Sequence, residues 1–214
     1  MENISNSIAS KIVAELNMDN DKKEVIAYGT FALLQAFISI FLIFIFGYLF
    51  NVAIEALIVL FTGSILRRYS GGAHATSPGR CTSIGVIICI VQAILISNIA
   101  SKWVNFNITI ILVLMIFIWS YYIIYKLAPV DSPSKPIKKE EKKKRMKKGS
   151  LITISGYLII VIFTILLAFS FEKATFLVHA LCISGGITWQ VFTLTKIGHL
   201  ALSKIDAFLS YIIK

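Results

Sequence analysis

Between residues 67 and 81 the sequence reads RRYSGGAHATSPGRC, where a glycine pair, three arginines, a histidine and a cysteine converge. His74 and Cys81 carry the chemistry: a cysteine thiolate attacks carbonyl carbon, and a nearby imidazole manages the proton. They lie seven residues apart, so a turn through 75–79 would bring the imidazole within hydrogen-bond reach of the thiol. Gly71 and Gly72 allow backbone angles that other residues resist, and so can turn the chain and bring backbone close to a bound peptide. Ser77 followed by Pro78 matches an N-cap and a first helical position, which predicts a helix starting there with Cys81 in its first turn. The positive end of that helix, with Arg80 or a protonated His74, would favour the thiolate. An interfacial histidine beside a structural cysteine fits the same residues, and their chemistry alone leaves both readings open.

The chain that must position them has 214 residues, of which 57% are hydrophobic, and a mean hydropathy of +0.82. A water-exposed surface does not tolerate that composition, so lipid is the solvent for most of the protein. A bilayer span needs roughly 20 apolar residues in a helix or closed barrel that satisfies its own backbone, and long apolar runs without alternation select helices. The expectation is an all-α integral membrane protein, a single polytopic domain over residues 1–214. Six spans are predicted at 25–46, 52–66, 81–100, 108–125, 151–171 and 174–194. Five is the alternative, because 52–66 is short and carries Glu55, which lies near its outer end and can reach water. Within residues 1–24, Ile4, Ile8, Ile12, Val13 and Leu16 recur at helical spacing, predicting an amphipathic helix on the bilayer surface and no cleavable signal peptide. The tail at 196–214 is amphipathic as well. The first four spans and the 67–81 loop thus fall within 25–125, a basic loop at 126–150, and the last two spans at 151–195, paired tightly around Glu172 and Lys173.

The net charge is +10, but no soluble domain presents it to nucleic acid. Cytoplasmic loops are enriched in Lys and Arg. With both termini and the 67–81 loop on that side, nineteen of the twenty-one basic residues are cytoplasmic, and only Lys102 and Lys173 are not. The 135–148 run, with Pro129, Pro133 and Pro136 in or before it, reads as a flexible loop ending in a basic segment. Its plain role is a topology signal and attraction to anionic lipid, about 1 kcal/mol per basic residue. A landing site for an acidic substrate segment is compatible with that role.

Cys81, Cys89 and Cys182 are odd in number and lack CxxC spacing, so neither a disulfide framework nor a zinc site is suggested. Cys89 and Cys182 read as small apolar fillers. His179 and His199 have no metal-like spacing and no HExxH motif is present, so no metal or cofactor is expected.

On Arg67, Gly71, Gly72, His74 and Cys81 at their spacing, the segment resembles the accessory gene regulator B family, the AgrB-like membrane cysteine endopeptidases that process quorum-sensing pheromone precursors in the bacterial cell membrane. Chain length, hydrophobic helices and basic loops fit the family loosely. The resemblance implies that Cys81 is the nucleophile, His74 its base, and Arg67 a support for site or substrate. It also implies an AgrD-like precursor peptide as partner, with an amphipathic leader, a central signal segment and an acidic tail, and a homodimer. Gln35 either corresponds to a polar residue of the family's first span or is an interhelical amide. The rival class is a transporter or exporter of a small peptide without peptidase activity, which no pair of broken helices or internal repeat recommends. A non-enzymatic scaffold would leave the His74 and Cys81 pattern unexplained.

Overall fold

The structure is a computed structural model that describes residues 1–16, 18–103, 105–131 and 139–212. Among these residues it is all-helical, with α1 (Glu2–Glu15), α2 (Asn20–Leu49), α3 (Ala53–Ser70), α4 (Pro78–Trp103), α5 (Phe106–Leu127), α6 (Glu140–Phe171), α7 (Ala174–Phe192) and α8 (Lys196–Ile212). Five of them, α2, α4, α5, α6 and α7, are long and apolar enough to cross a membrane. The remaining expected span is α3, whose 18 residues include Glu55 in the first turn and Arg67 and Arg68 in the last. Those charges suit the helix dipole at each end. They also confine the apolar stretch to fewer residues than a bilayer core needs.

The chain forms two compact units, Met1–Leu42 and Ile43–Lys214. In the first, α1 exposes Ile4 and Ile8, Leu16 is exposed just past its end, and the leading part of α2 exposes Val25, Leu33, Phe37 and Phe41. Apolar surface of that kind belongs in lipid.

In the second unit α7 is the central helix, more buried than any of the other span candidates. It packs against α3, α4, α5 and α6. Lipid is as apolar as leucine, so helices in a bilayer associate through close packing and polar bonds. Gly186 of α7 shows the first: a Cβ there would lie 2.8 Å from the Val59 carbonyl oxygen of α3. The core around it joins Leu66 of α3, Phe117 and Ile124 of α5, Ile154 and Val161 of α6, and Ile187 and Val191 of α7. Polar side chains are satisfied locally, as when Ser184 donates to the Ala180 carbonyl (2.9 Å) and Thr188 to that of Ser184 (2.8 Å). Between helices, the Tyr157 hydroxyl of α6 donates to the Thr62 carbonyl of α3 (3.1 Å).

The basic segment departs from the expected loop. Residues 132–138, including Pro133, Lys135 and Pro136, lie outside the described residues, as does Lys214. From Glu140 onward, however, the lysines and arginine are helical, forming the leading turns of the 32-residue α6. Lys, Arg and Glu are good helix formers, and Glu140 and Glu141 meet the positive end of the helix dipole, so the helix continues past the apolar span. Lys147 lies over the Tyr125 ring of α5, 4.4 Å from its centre.

The end of α3 is held by a side chain of α7. Gln190, fully buried, donates to the Ser70 hydroxyl (3.0 Å) and to the Gly71 carbonyl (2.7 Å). Gln190→Leu keeps the volume but strands the Gly71 acceptor, at a cost of about 1–3 kcal/mol. The purified variant is expected to unfold at a lower Tm in detergent, by roughly 2–4 °C per kcal/mol lost. A Tm equal to that of the unsubstituted protein would show that the amide does not hold α3 in place.

Candidate active site

The chain leaves α3 through two residues with positive φ, Gly71 (+67°) and Gly72 (+128°). Side chains are strained there, and space is denied as well. A Cβ on Gly71 would collide with the Val130 carbonyl, and one on Gly72 would lie 2.7 Å from the Thr193 hydroxyl. The glycines therefore make the expected turn. The backbone they bring close belongs to this chain itself, at residue 130 and at the end of α7. Val130 donates its amide to the Ser70 carbonyl (2.9 Å), and Ala73 donates its amide to the Thr193 carbonyl (3.2 Å).

Beyond that turn the side chains alternate. Ala73 is buried, His74 is exposed and Ala75 is half-buried. Ala73 and Ala75 join a small apolar cluster with Ile84 and Ile88 of α4, Trp189 of α7, and Leu202 and Leu209 of α8. Packing on either side thus turns His74 outward. Helix α4 starts at Pro78, as the Ser77 and Pro78 pair predicts, which makes Cys81 its fourth residue. The Cys81 amide donates to the Ser77 carbonyl (2.9 Å), the first bond of the helix. Cys81 is a free thiol, partly exposed.

Arg67 is the cation of the site. Its guanidinium donates to the Ala73 carbonyl, and its charge reaches both Cys81 and His74. The His74 imidazole is pushed down to about 4, by the burial of its inner side first and the charge of Arg67 second. Near neutral pH it is uncharged and able to accept a proton. The protonated His74 considered from sequence as a partner for the thiolate is therefore not the resting form. Arg80 is also placed differently from that expectation, because its Nε donates to Asp206 Oδ1 at 2.6 Å and its charge is met there. The imidazole of His74 and the thiol of Cys81 make no hydrogen bond to each other.

Asp206, on α8, is the residue that sequence reasoning missed. It is buried, and besides Arg80 its carboxylate accepts the Thr76 amide (3.0 Å) and hydroxyl (2.7 Å). Burial raises its pKa, but the bonds from Arg80 and Thr76 and the charge of Arg80 outweigh that and hold the carboxyl at about 2. The one signal in the sequence was a lone acid in a tail whose other charges, Lys196, Lys204 and Lys214, are basic.

The structure thus brings Arg67, Gly71, Gly72, His74 and Cys81 into one loop and its flanking helix ends. Gln35 belongs to the other compact unit, where its carbonyl accepts the Ser39 hydroxyl (2.8 Å). Cys89 and Cys182 are buried on α4 and α7. His179 lies edge-on to Phe176, with ring centres 6.5 Å apart.

Comparison with known proteins bears on a site of this composition. The profile described as Accessory gene regulator B matches residues 5–194. The chain belongs to the accessory gene regulator B family. It is 49% identical over 208 residues to an AgrB-like protein of Clostridium perfringens strain SM101, covering 97% of each chain. A second AgrB-like protein, from Clostridium perfringens strain 13, is 48% identical over the same share. An AgrB-like protein of Listeria innocua is 31% identical over 117 residues, 54% of this chain and 52% of its own. No solved structure matches. Membership in the AgrB family associates this multi-pass chain with the processing of agr quorum-sensing peptides.

The state of His74 is open to measurement without any substrate. Diethyl pyrocarbonate acylates only neutral imidazole, so its rate at His74, followed by mass spectrometry of the loop peptide, should fall with a midpoint near pH 4, well below the ordinary value of about 6.5. Arg67→Gln should move that midpoint upward in part, since burial remains. Because the unfolded chain binds the proton first as pH falls, the stability linked to His74 is present above about 6.5 and is lost towards 4. A midpoint at the ordinary value would mean that the imidazole is fully solvated.

Proposed function

We propose that the protein is a membrane cysteine endopeptidase that removes the acidic C-terminal tail of a small AgrD-like precursor, with Cys81 as nucleophile and His74 as general base. The observation that carries this reading is the turn at Gly71 and Gly72 that presents an exposed His74 ahead of the helix whose fourth residue is the free thiol Cys81, in a chain matched by the Accessory gene regulator B profile. A neutral imidazole that can reach a thiol is what proton abstraction requires.

His74 takes the proton of the Cys81 thiol, and the sulfur attacks the carbonyl that joins signal segment to tail. The tetrahedral intermediate then collapses. Its C–N bond breaks, the imidazolium returns the proton to the leaving amine, and the tail departs with a new amino terminus. The signal peptide remains as a thioester on Cys81. A cysteine within the peptide can displace Cys81 by thioester exchange, which closes a ring and returns the enzyme thiol. Water would instead release a linear acid, so a water-poor interface protects the ring-forming step. His74 is exposed and free to turn towards the thiol as substrate binds. Hydrogen bonds of this kind are often loose before the substrate is present.

The basic leading turns of α6 suit the acidic tail as an electrostatic landing site. The orientation that goes with this mechanism puts both chain ends, the 67–81 loop and the start of α6 in the cytoplasm, with α3 as the sixth span. Its apolar stretch is short for a bilayer core, so this arrangement has Glu55 and Arg68 reach the two interfaces from the helix ends, over the roughly 27 Å that 18 residues at about 1.5 Å each provide. With the native cysteines replaced, a cysteine at Lys142 should resist an impermeant maleimide added outside intact cells, while one at Asn105 should react. Equal labelling of the two would end the six-span arrangement.

The mechanism itself is tested by Cys81→Ala and His74→Ala, each expected to abolish precursor cleavage at normal membrane abundance. Cys89→Ala and Cys182→Ala should cleave as the unsubstituted protein does. With a precursor whose ring-forming cysteine is replaced by alanine, a hydroxylamine-sensitive adduct should accumulate on the enzyme and be missing in Cys81→Ala. Cleavage by Cys81→Ala at the normal rate would sink the peptidase reading.

A further inference from the structure

We infer that Asp206 is a positioning residue for the reaction, a clamp through which the C-terminal helix α8 holds the His74 loop and the start of the Cys81 helix in register. The inference rests on the reading of Cys81 and His74 as nucleophile and base. It goes beyond that reading by giving a role to a helix that lies past residue 194, where the family match ends.

The geometry is a closed triangle. Asp206 accepts the amide and hydroxyl of Thr76 with one carboxylate oxygen and Arg80 Nε with the other, while Arg80 Nη2 donates to the Thr76 hydroxyl (2.5 Å). Thr76 is two residues after His74, and Arg80 immediately precedes Cys81. Through this one carboxylate, the segment bearing the base is tied to the helix bearing the nucleophile. Neither end has another anchor of that kind, since Arg80 with Asp206 is the ion pair found among the described residues.

Helix α8 is arranged to deliver that carboxylate. The Thr195 hydroxyl accepts the Gly198 amide (3.0 Å) and caps the start of the helix directly after α7. Gly198, Leu202 and Asp206 then follow at intervals of four, so they share one face, and all three are buried. Leu202 joins the apolar cluster that contains Ala73 and Ala75, the neighbours of His74. One turn further on, Asp206 takes the next residue of the loop, Thr76. The grip is therefore apolar beside His74 and ionic beside Cys81. A reacting pair that is not hydrogen-bonded at rest depends on its supports, and displacement of such a group by about 1 Å can cost roughly 100-fold in rate.

The test uses the full-length protein in lipid nanodiscs, with a synthetic precursor peptide that carries an amphipathic leader, a cysteine-containing signal segment and an acidic tail as substrate. Asp206→Ala should lower kcat by roughly 10- to 100-fold with KM within about twofold, since the substrate is held elsewhere. It should also speed amide hydrogen exchange in the 72–80 peptide, which contains the Thr76 amide, and leave exchange in α5 and α7 unchanged. Asp206→Asn keeps an acceptor oxygen but not the charge, and should fall between the two. If Asp206→Ala is lost from the membrane, Thr76→Val and Asp206→Asn at normal abundance decide by the same two readouts. An unchanged kcat with unchanged loop exchange, or a rise in KM alone, would overturn the clamp. Should the unsubstituted protein and Cys81→Ala cleave equally, the peptidase reading fails instead. Loop exchange alone then decides whether Asp206 holds the segment.

Discussion

A helix that stops inside a packed bundle leaves its last carbonyls without intrahelical partners, and where they are buried the protein itself must meet them. In this chain the problem falls on Ser70 and Gly71, the end of α3. The Val130 amide meets one carbonyl and the Gln190 side chain meets the other. Both partners come from far along the chain, one after α5 and one near the end of α7. The loop can therefore leave α3 in its observed direction only once the bundle is assembled. Gly71 and Gly72 follow from this, because the polar partners must approach closer than a Cβ allows. So does the outward turn of His74, since Ala73 is drawn inward onto the Thr193 carbonyl.

The two arginines that flank the loop divide the electrostatic work. Arg80 is paired with Asp206, and its charge is spent on holding Thr76 in place. Arg67 forms no ion pair among the described residues, and so its field remains available to Cys81 and His74. On His74 that field disfavours the imidazolium, which keeps the ring unprotonated at neutral pH. A carboxylate beside Arg67 would cancel the effect, and the buried carboxylate near the loop, Asp206, is held by the other arginine.

Local pattern made much of this legible. The runs at 108–125 and 174–194 correspond to α5 and α7 within a few residues at each end, because apolar length and the Asn105 cap act locally; the Asn105 side chain accepts the Ile108 amide (3.0 Å). The start of α4 was legible in Ser77 and Pro78 for the same reason. The basic part of α6 was misjudged because lysine density and nearby prolines suggest a loop, whereas helix propensity and continuity with the span prevail. Asp206 could not be paired in advance, since 126 residues separate it from Arg80. No periodicity connects an acid in the tail with a threonine in a loop. The glycines were recognised as a turn, but the surface they meet is tertiary, and sequence alone left it open to a bound peptide.

The site therefore combines a mobile requirement with a rigid frame. The proposed proton transfer would have His74 swing, and the alternation of buried and exposed residues around it leaves that freedom to the side chain. The backbone around it is tied at three places: Ala73 to Thr193, Thr76 to Asp206, and Cys81 to Ser77. Two of these three ties run to Thr193, just past α7, and to Asp206 of α8, residues more than a hundred positions beyond the loop. A loop held only by its own neighbours could shift independently of the bundle. Held by the last two helices, it keeps the His74 segment and the start of the Cys81 helix in one relation, which the proposed transfer of an acyl group to Cys81 would require.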